Sequence, residues 1–502
     1  MGLLTAIFVL PLVGAVALAF VDGDDHRTIR FVSLVFAAAA FVAAIVAAVR
    51  FDTTSAGFQL VEKIDWIPSI GASYHLGVDG ISLVLVLLTT FLTPLILLAA
   101  WNQETRVKGY FASFLVLEAA VLGAFLTLDL LLFYVFFDAM LVPMYLIIGI
   151  WGSANRRYAA VKFFLYTMLG GLLMLVAILF LFSQAGTFDY LGISQLQLSE
   201  TAQKWLFLAF FVAFAVKLPL FPVHTWLPDA HTEAPTGGSV FLAAILLKIG
   251  GFGVLRYLLP LFPDASVDFA PWIIALSVVG ILYGAVVALM QPDVKRLIAY
   301  SSVSHMGFVM LGLFAFTLTS ASAGVVQMIN HGLSTGALFL LVGFLYDRRH
   351  TRAIAAYGGL AKTVPIMAGF WLVVSLSSLA LPGLNGFVGE FPILLGTFQT
   401  TRWAAVLSAF GAVLAALYLL WVYQRMFHGP VKGLDNQHTT DLHTREVAVL
   451  VPIVALIVAI GIYPEPLYNA VEPSVDRVLQ QAGLSGVETA DVESVVGIEE
   501  GE

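Results

Sequence analysis

Along this chain, long apolar runs alternate with short polar breaks. Neither the two-residue alternation of a β-barrel nor the narrow amphipathic stripe of a soluble helix is present. A helix needs about 20 mostly apolar residues to cross a bilayer. By that measure, runs fall near residues 3–20, 30–49, 78–100, 109–127, 129–150, 158–183 and 204–221. They continue near 236–258, 269–290, 297–318, 323–346, 364–400, 402–424 and 446–463. The pattern predicts an all-α polytopic membrane protein of about fourteen helices. Two runs are interrupted: Pro219 and Pro222 break the seventh, and Pro382 with Gly383 breaks the twelfth. Each break frees backbone groups that neighbouring helices or water must satisfy. The first run has no basic segment ahead of it and is followed by Asp22, Asp24 and Asp25, so it reads as an uncleaved membrane helix rather than a leader.

Interrupted helices in matching places suggest an internal duplication. One repeat would span helices four to eight (109–262) and the other helices nine to thirteen (263–424). Because five is odd, the two would have opposite membrane topology, as in transporters that build a mid-membrane ion site from broken helices. Three helices (1–108) would precede the repeats. A loop with the last helix (425–464) and an acidic external tail (465–502) would follow them. Fifteen Lys and Arg fall in loops after odd-numbered helices, against six in the remaining loops and tail. That bias places both termini on the outer side.

Composition sharpens this picture. The chain is 60% hydrophobic and 11% charged, against about 45–50% and 25% for soluble domains. Its mean hydropathy is +0.95. The absence of cysteine excludes disulfides, cysteine-ligated clusters, thiolate zinc sites and cysteine nucleophiles. No dinucleotide fingerprint, P-loop or nucleic-acid motif appears. Much of the formal charge of −8 comes from the carboxylates after Tyr463, which read as a solvated end.

The few ionisable residues inside the apolar runs then stand out. Glu118, Asp138, Lys217 and Lys248 lie in helices four, five, seven and eight, and Glu390 follows the Pro382 break. Each charge at such depth costs roughly 2.5–3.5 kcal/mol on insertion scales. A single Asp138–Lys217 or Glu118–Lys217 pair could be a helix-packing salt bridge. Five such groups on five helices fit a proton path better. His305 comes twelve residues after Asp293, about 18 Å along a helix, and His331 is equally central in its run. Either could relay protons or be a hydrogen-bonded core histidine. His224 and His231 are seven residues apart and would share a helical face. No third and fourth ligand accompanies them, so a metal site is not expected.

Several stretches carry a family resemblance. The run Val216–His231, with Glu233-Ala234-Pro235-Thr236, Lys248 and Asp293–Ser302, resembles the signature of the antiporter-like subunits of respiratory complex I. Leu381–Phe391 and Phe136–Tyr145 are similar to the M-type chains, in which Glu390 stands where sibling chains and sodium/proton antiporter subunits carry lysine. Asp138 departs from the family's usual glutamate and is shorter by one methylene. The resemblance covers helices three to thirteen. It implies a proton-translocating subunit of NADH-quinone oxidoreductase in the bacterial plasma membrane, with protons as substrate. Asp138 and Glu118 would bias Lys217, Lys248 would be the central relay, and His305 and His331 would lead to Glu390, with His224 and His231 in support. NADH, FMN, iron–sulfur clusters and quinone would belong to other subunits. L- and N-type antiporter-like chains and membrane lipids would be the neighbours. The alternative is a subunit of a multisubunit Na+/H+ antiporter.

Overall fold

The computed structural model of the protein describes residues 2–484. Glu488, Asp491, Glu493, Glu499, Glu500 and Glu502, the far part of the expected 465–502 tail, lie outside the described residues. Eleven helices among those described are long and apolar enough to cross a membrane. They are His26–Arg50, Gly80–Asn102, Val107–Leu126, Leu130–Trp151, Arg156–Ala185, Thr236–Leu261, Pro263–Leu289, Val294–Phe314, Leu318–Arg349, Arg402–Phe427 and Thr444–Ile462. Leu3–Ala19 and Pro365–Ser378 are apolar but shorter, and Glu200–Lys217 carries Glu200, Lys204 and Lys217. Thr236–Leu261 and Leu318–Arg349 are buried on every side and form the axis of the bundle. Outer helices instead expose single apolar side chains such as Val42, Leu169, Val176 and Val413, the face that lipid covers.

Short polar residues start several of these helices. The Asp79 carboxylate accepts from the backbone N–H of Ser82 at 3.0 Å, Asp129 from Leu132 at 3.0 Å and Asp293 from Lys295 at 2.8 Å. Each satisfies a donor that the first helical turn leaves free.

Both proline breaks fall where the sequence puts them. Glu200–Lys217 stops at Leu218, and helix resumes over Trp226–Glu233. The Trp226 indole donates to the carbonyl of Val216 at 2.9 Å, which satisfies one oxygen freed by the break. Pro365–Ser378 and Asn385–Thr400 flank the second break. There Ala380 and Gly383 take left-handed φ of 60° and 90°, and the Asn330 amide donates to Asn385 O at 2.6 Å.

Two regions correct the sequence reading. The chain is not wholly α-helical, because Gln59–Ile67 pairs antiparallel with Ala72–Val78 in a hairpin. Its alternation is masked by polar residues on one strand and by a Gly71 turn at φ 63°. The first part of the tail is not a solvated end. Glu465–Gln481 is an amphipathic helix that buries Val471, Ser474, Val475, Val478 and Leu479 against the bundle. Its acidic residues occupy the opposite face, so composition alone hid the apolar stripe.

Candidate functional site

Lys248 lies in a short α-helical stretch, Lys248–Gly253, between two π-helical segments, Leu242–Leu246 and Val254–Leu258. The wider π turn changes which carbonyls are bonded within the helix. Ala243 O accepts from Lys248 Nζ at 2.6 Å, five residues back along the same helix. The same ammonium reaches His331 Nδ1 at 2.8 Å. When Lys248 donates there, the imidazole proton sits on Nε2.

From His331 the file continues onto two more helices. The His331 and His305 ring centroids are 5.9 Å apart. His305 Nδ1 is 2.6 Å from Glu390 Oε1, and the Gln327 amide donates to that same oxygen at 2.8 Å. Tyr418 lies beyond, its hydroxyl 3.4 Å from His305 Nε2. A cavity of about 10 Å³ touches His305, Gln327, Asn330, His331 and Ser378, about the space one water needs. His331 Nε2, Gln327 Oε1, Asn330 Oδ1 and Ser378 Oγ are buried with no hydrogen-bond partner among the described residues. A water in that cavity could serve these groups and join the two imidazoles. At the helix break, Ser377 Oγ bonds Asn385 Oδ1 at 2.5 Å and lies 2.6 Å from Ser334 Oγ. Four ionisable groups on four helices are thus joined by direct bonds and one short gap.

The first half of the site is arranged differently. Glu118 is fully buried, and neither of its carboxylate oxygens has a hydrogen-bond partner among the described residues. Lys217 is 2% exposed, and its Nζ sits 4.7 Å from the centre of the Phe137 ring without a hydrogen bond. No Lys217 salt bridge within 4.0 Å forms with Asp138, Glu118 or any other described carboxylate. The short Asp138 side chain ends instead against Gly171, where a Cβ would lie 2.5 Å from Oδ1. His224 and His231 do not share a face. His224 sits in the break against Phe221 and Tyr283, while His231 stacks on Phe339 with centroids 4.7 Å apart. Lys162, inside an apolar run, pairs with Asp229 at 2.7 Å.

Sequence reasoning passed over three features. Gln327 is uncharged, and its position four residues before His331 was the available signal. Arg256 reads as a loop cation but is buried. Its guanidinium meets Asp79 at 2.7 Å, and Arg477 of the tail helix meets the other Asp79 oxygen at 2.9 Å. Lys295 likewise reads as a loop residue, yet its Nζ is held by Ala234 O at 2.5 Å. Among the described residues, no group of three or more His, Asp or Glu could hold a metal ion.

Comparison with known proteins bears on this arrangement. Residues 127–415 match the family described as "NADH:quinone oxidoreductase/Mrp antiporter, TM", and residues 28–129 match "NADH-ubiquinone oxidoreductase chain 4, amino terminus". The chain is 46% identical over 496 residues to NADH-quinone oxidoreductase subunit M of Rhodobacter capsulatus, covering 95% of this chain and 96% of that one. It is 43% identical over 479 residues to NADH-ubiquinone oxidoreductase chain 4 of Arabidopsis thaliana, covering 95% and 97%. A chain of respiratory complex I from Thermus thermophilus with bound NADH superposes with a TM-score of 0.88 at 32% identity, over 96% of this chain and 100% of that one. A chain of the Mrp complex from a Dietzia species superposes with a TM-score of 0.83 at 20% identity, over 97% and 100%, which is a likeness of fold.

Proposed function

The chain belongs to the family of NADH-quinone oxidoreductase subunit M and NADH-ubiquinone oxidoreductase chain 4, and from that premise we propose the route by which it moves protons. It is an antiporter-like membrane-arm subunit of complex I, the proton-translocating NADH:quinone oxidoreductase. NADH, FMN, the iron–sulfur clusters and quinone are assigned to other subunits of that enzyme.

Lys248 is the central relay. Its ammonium passes a proton to His331. A water between the imidazoles carries it to His305, and Glu390 receives it from His305 Nδ1. Gln327 fixes the accepting oxygen, and Glu390 releases the proton toward the outer side or a neighbouring subunit. The carrying observation is the file Lys248–His331–His305–Glu390, bonded at both ends with one gap between the imidazoles. Asp138 and Glu118 act as a second set of charges that biases Lys217.

Counting Leu3–Ala19, the broken pair Glu200–Lys217 with Trp226–Glu233, and the broken pair Pro365–Ser378 with Asn385–Thr400 as spans gives fourteen helices. Residues 109–262 and 263–424 are the inverted repeats, after 1–108 and before 425–464 and the 465–502 tail. Both termini face outward. L- and N-type antiporter-like chains and lipid surround the bundle. In Lys248→Ala, the complex should assemble and oxidise NADH while the proton-to-electron ratio in sealed vesicles falls at least twofold. An unchanged ratio in the assembled variant would remove Lys248 from the path.

A further inference from the structure

Tyr418 touches the Glu390 file yet has no step in the route proposed above. It is fully buried on Arg402–Phe427, which packs beside Val294–Phe314, the helix of His305. Its hydroxyl lies 3.4 Å from His305 Nε2. Among the described residues, no other hydrogen bond reaches that nitrogen.

We propose that Tyr418 is a positioning residue for proton transfer, whose hydroxyl holds the His305 ring with Nδ1 facing Glu390. The inference rests on the route from Lys248 to Glu390 and says what keeps one member of it aimed.

Backbone packing brings the two side chains together. Ser304 Oγ donates to Ile281 O at 2.9 Å, and a Cβ at Gly284 would stand 2.8 Å from Ser304 N. The His305 helix is thus pressed against Pro263–Leu289. Arg402–Phe427 closes on the same place through Gly411, where a Cβ would run into Ile281 Cγ2 and stand 3.2 Å from Phe308 Cζ. Phe308 is about one turn from His305, and Tyr418 is about two turns from Gly411 on the same face of its helix. The glycine contact therefore sets where the tyrosine lands.

What this packing leaves free is the turn of the imidazole about its bond to Cβ. Glu390 Oε1 meets Nδ1 at 2.6 Å, and Tyr418 meets the opposite nitrogen. A half-turn would put carbon in place of nitrogen at both contacts. Without the hydroxyl, only the Glu390 bond opposes that turn, and proton transfer itself remakes that bond. A lysine ammonium could only donate to Nε2 and an ionised carboxylate could only accept from it; a phenol does either. The Tyr418 hydroxyl therefore stays with Nε2 whether or not that nitrogen carries a proton, and it keeps its own proton throughout. Gln327, by contrast, fixes the Glu390 oxygen and not the ring.

Phenylalanine fills the same space, so Tyr418→Phe separates aiming from packing. It would be made in the complete complex, alongside Lys248→Ala and Glu390→Gln. The proton-to-electron ratio would be read in sealed vesicles at equal subunit content. Infrared difference spectra of the carboxyl region would be recorded on the same preparations, with the Glu390 bands assigned by their loss in Glu390→Gln. In Tyr418→Phe the ratio should fall at least twofold, and the Glu390 bands should shift as part of the population loses the bond to His305. A parent-like ratio, where Lys248→Ala lowers it, would overturn the positioning role and leave the route standing. A lowered ratio with the Glu390 bands in their parental place would overturn it too, since Tyr418 would then act on packing alone. A Lys248→Ala ratio equal to the parent's would remove the route and this role with it.

Discussion

Asp79→Asn tests how the tail helix is held to the Leu261 end of the Lys248 helix. Asp79 is fully buried and meets Arg256 at 2.7 Å and Arg477 at 2.9 Å. The two guanidiniums also share the Phe58 ring, at 4.5 and 4.2 Å from its centre. At an effective dielectric of about 20, each contact has a gross attraction of about 6 kcal/mol, most of which offsets the loss of hydration. Removing one partner of such a buried set costs about 3–5 kcal/mol, because the remaining charges stay buried and uncompensated. Asparagine keeps the shape and can still cap Ser82, so the charge alone is removed. The loss should fall on the docking of Glu465–Gln481, which Arg477, Ser474 and Tyr468 anchor by polar contacts. About 3 kcal/mol is roughly a 150-fold rise in the undocked population. Tryptic cleavage at Arg477 in the solubilised complex should therefore accelerate about 100-fold when opening is fast relative to cutting. A rate within threefold of the parent would refute the clamp. Burial pushes the Asp79 carboxyl up, but Arg256 and Arg477 beside it hold it below the usual carboxylate range. The clamp is thus at full strength above about pH 4 and weakens only as pH falls through that lowered value.

Two further substitutions probe the path. Asp138→Asn should lower the proton-to-electron ratio of the assembled complex at least twofold. Asp138→Glu, which keeps the carboxylate, should preserve it; equal ratios for all three would make Asp138 a packing residue against Gly171. Glu390→Gln keeps a hydrogen-bonding group beside His305 and Gln327 but cannot titrate. The ratio should fall while subunit content is unchanged, and a parent-like ratio would mean that protons leave elsewhere.

Sequence periodicity located the eleven long spans and both proline breaks because the bilayer imposes a length and proline removes a specific hydrogen bond. It also isolated Lys248, Glu390, His305 and His331, since a polar group in a long apolar run has few innocuous explanations. Pairing was less legible. The expected Asp138–Lys217 contact does not form, because which way a side chain leaves its helix depends on neighbours such as Gly171, far away in sequence. Arg256 and Lys295 were hidden for the opposite reason. They stand near helix ends, where long cations usually reach water, and only the tertiary arrangement buries them. The hairpin and tail helix escaped because their polar faces dominate local composition.

The environment of Lys248 shows how backbone features would suit the relay proposed for it in a densely packed axis. Gly250, two residues beyond it, lets this helix approach the first break: a Cβ there would stand 2.7 Å from Phe214 O and 2.8 Å from Leu218 N. Both obstacles are backbone atoms, so no rotamer change could relieve them. The same residues that bring the helix against the end of Glu200–Lys217 therefore require glycine. On the opposite side, the π segment places Ala243 O in reach of the Lys248 ammonium. That carbonyl supplies a neutral acceptor where a carboxylate would pin the charge by several kcal/mol. His331 supplies the second acceptor, and it is neutral whenever it accepts. Lys248 is thus held in position by dipoles rather than by a counter-charge. Its hydrogen bonds orient the proton toward His331 without the strong ion pair that would hinder its release.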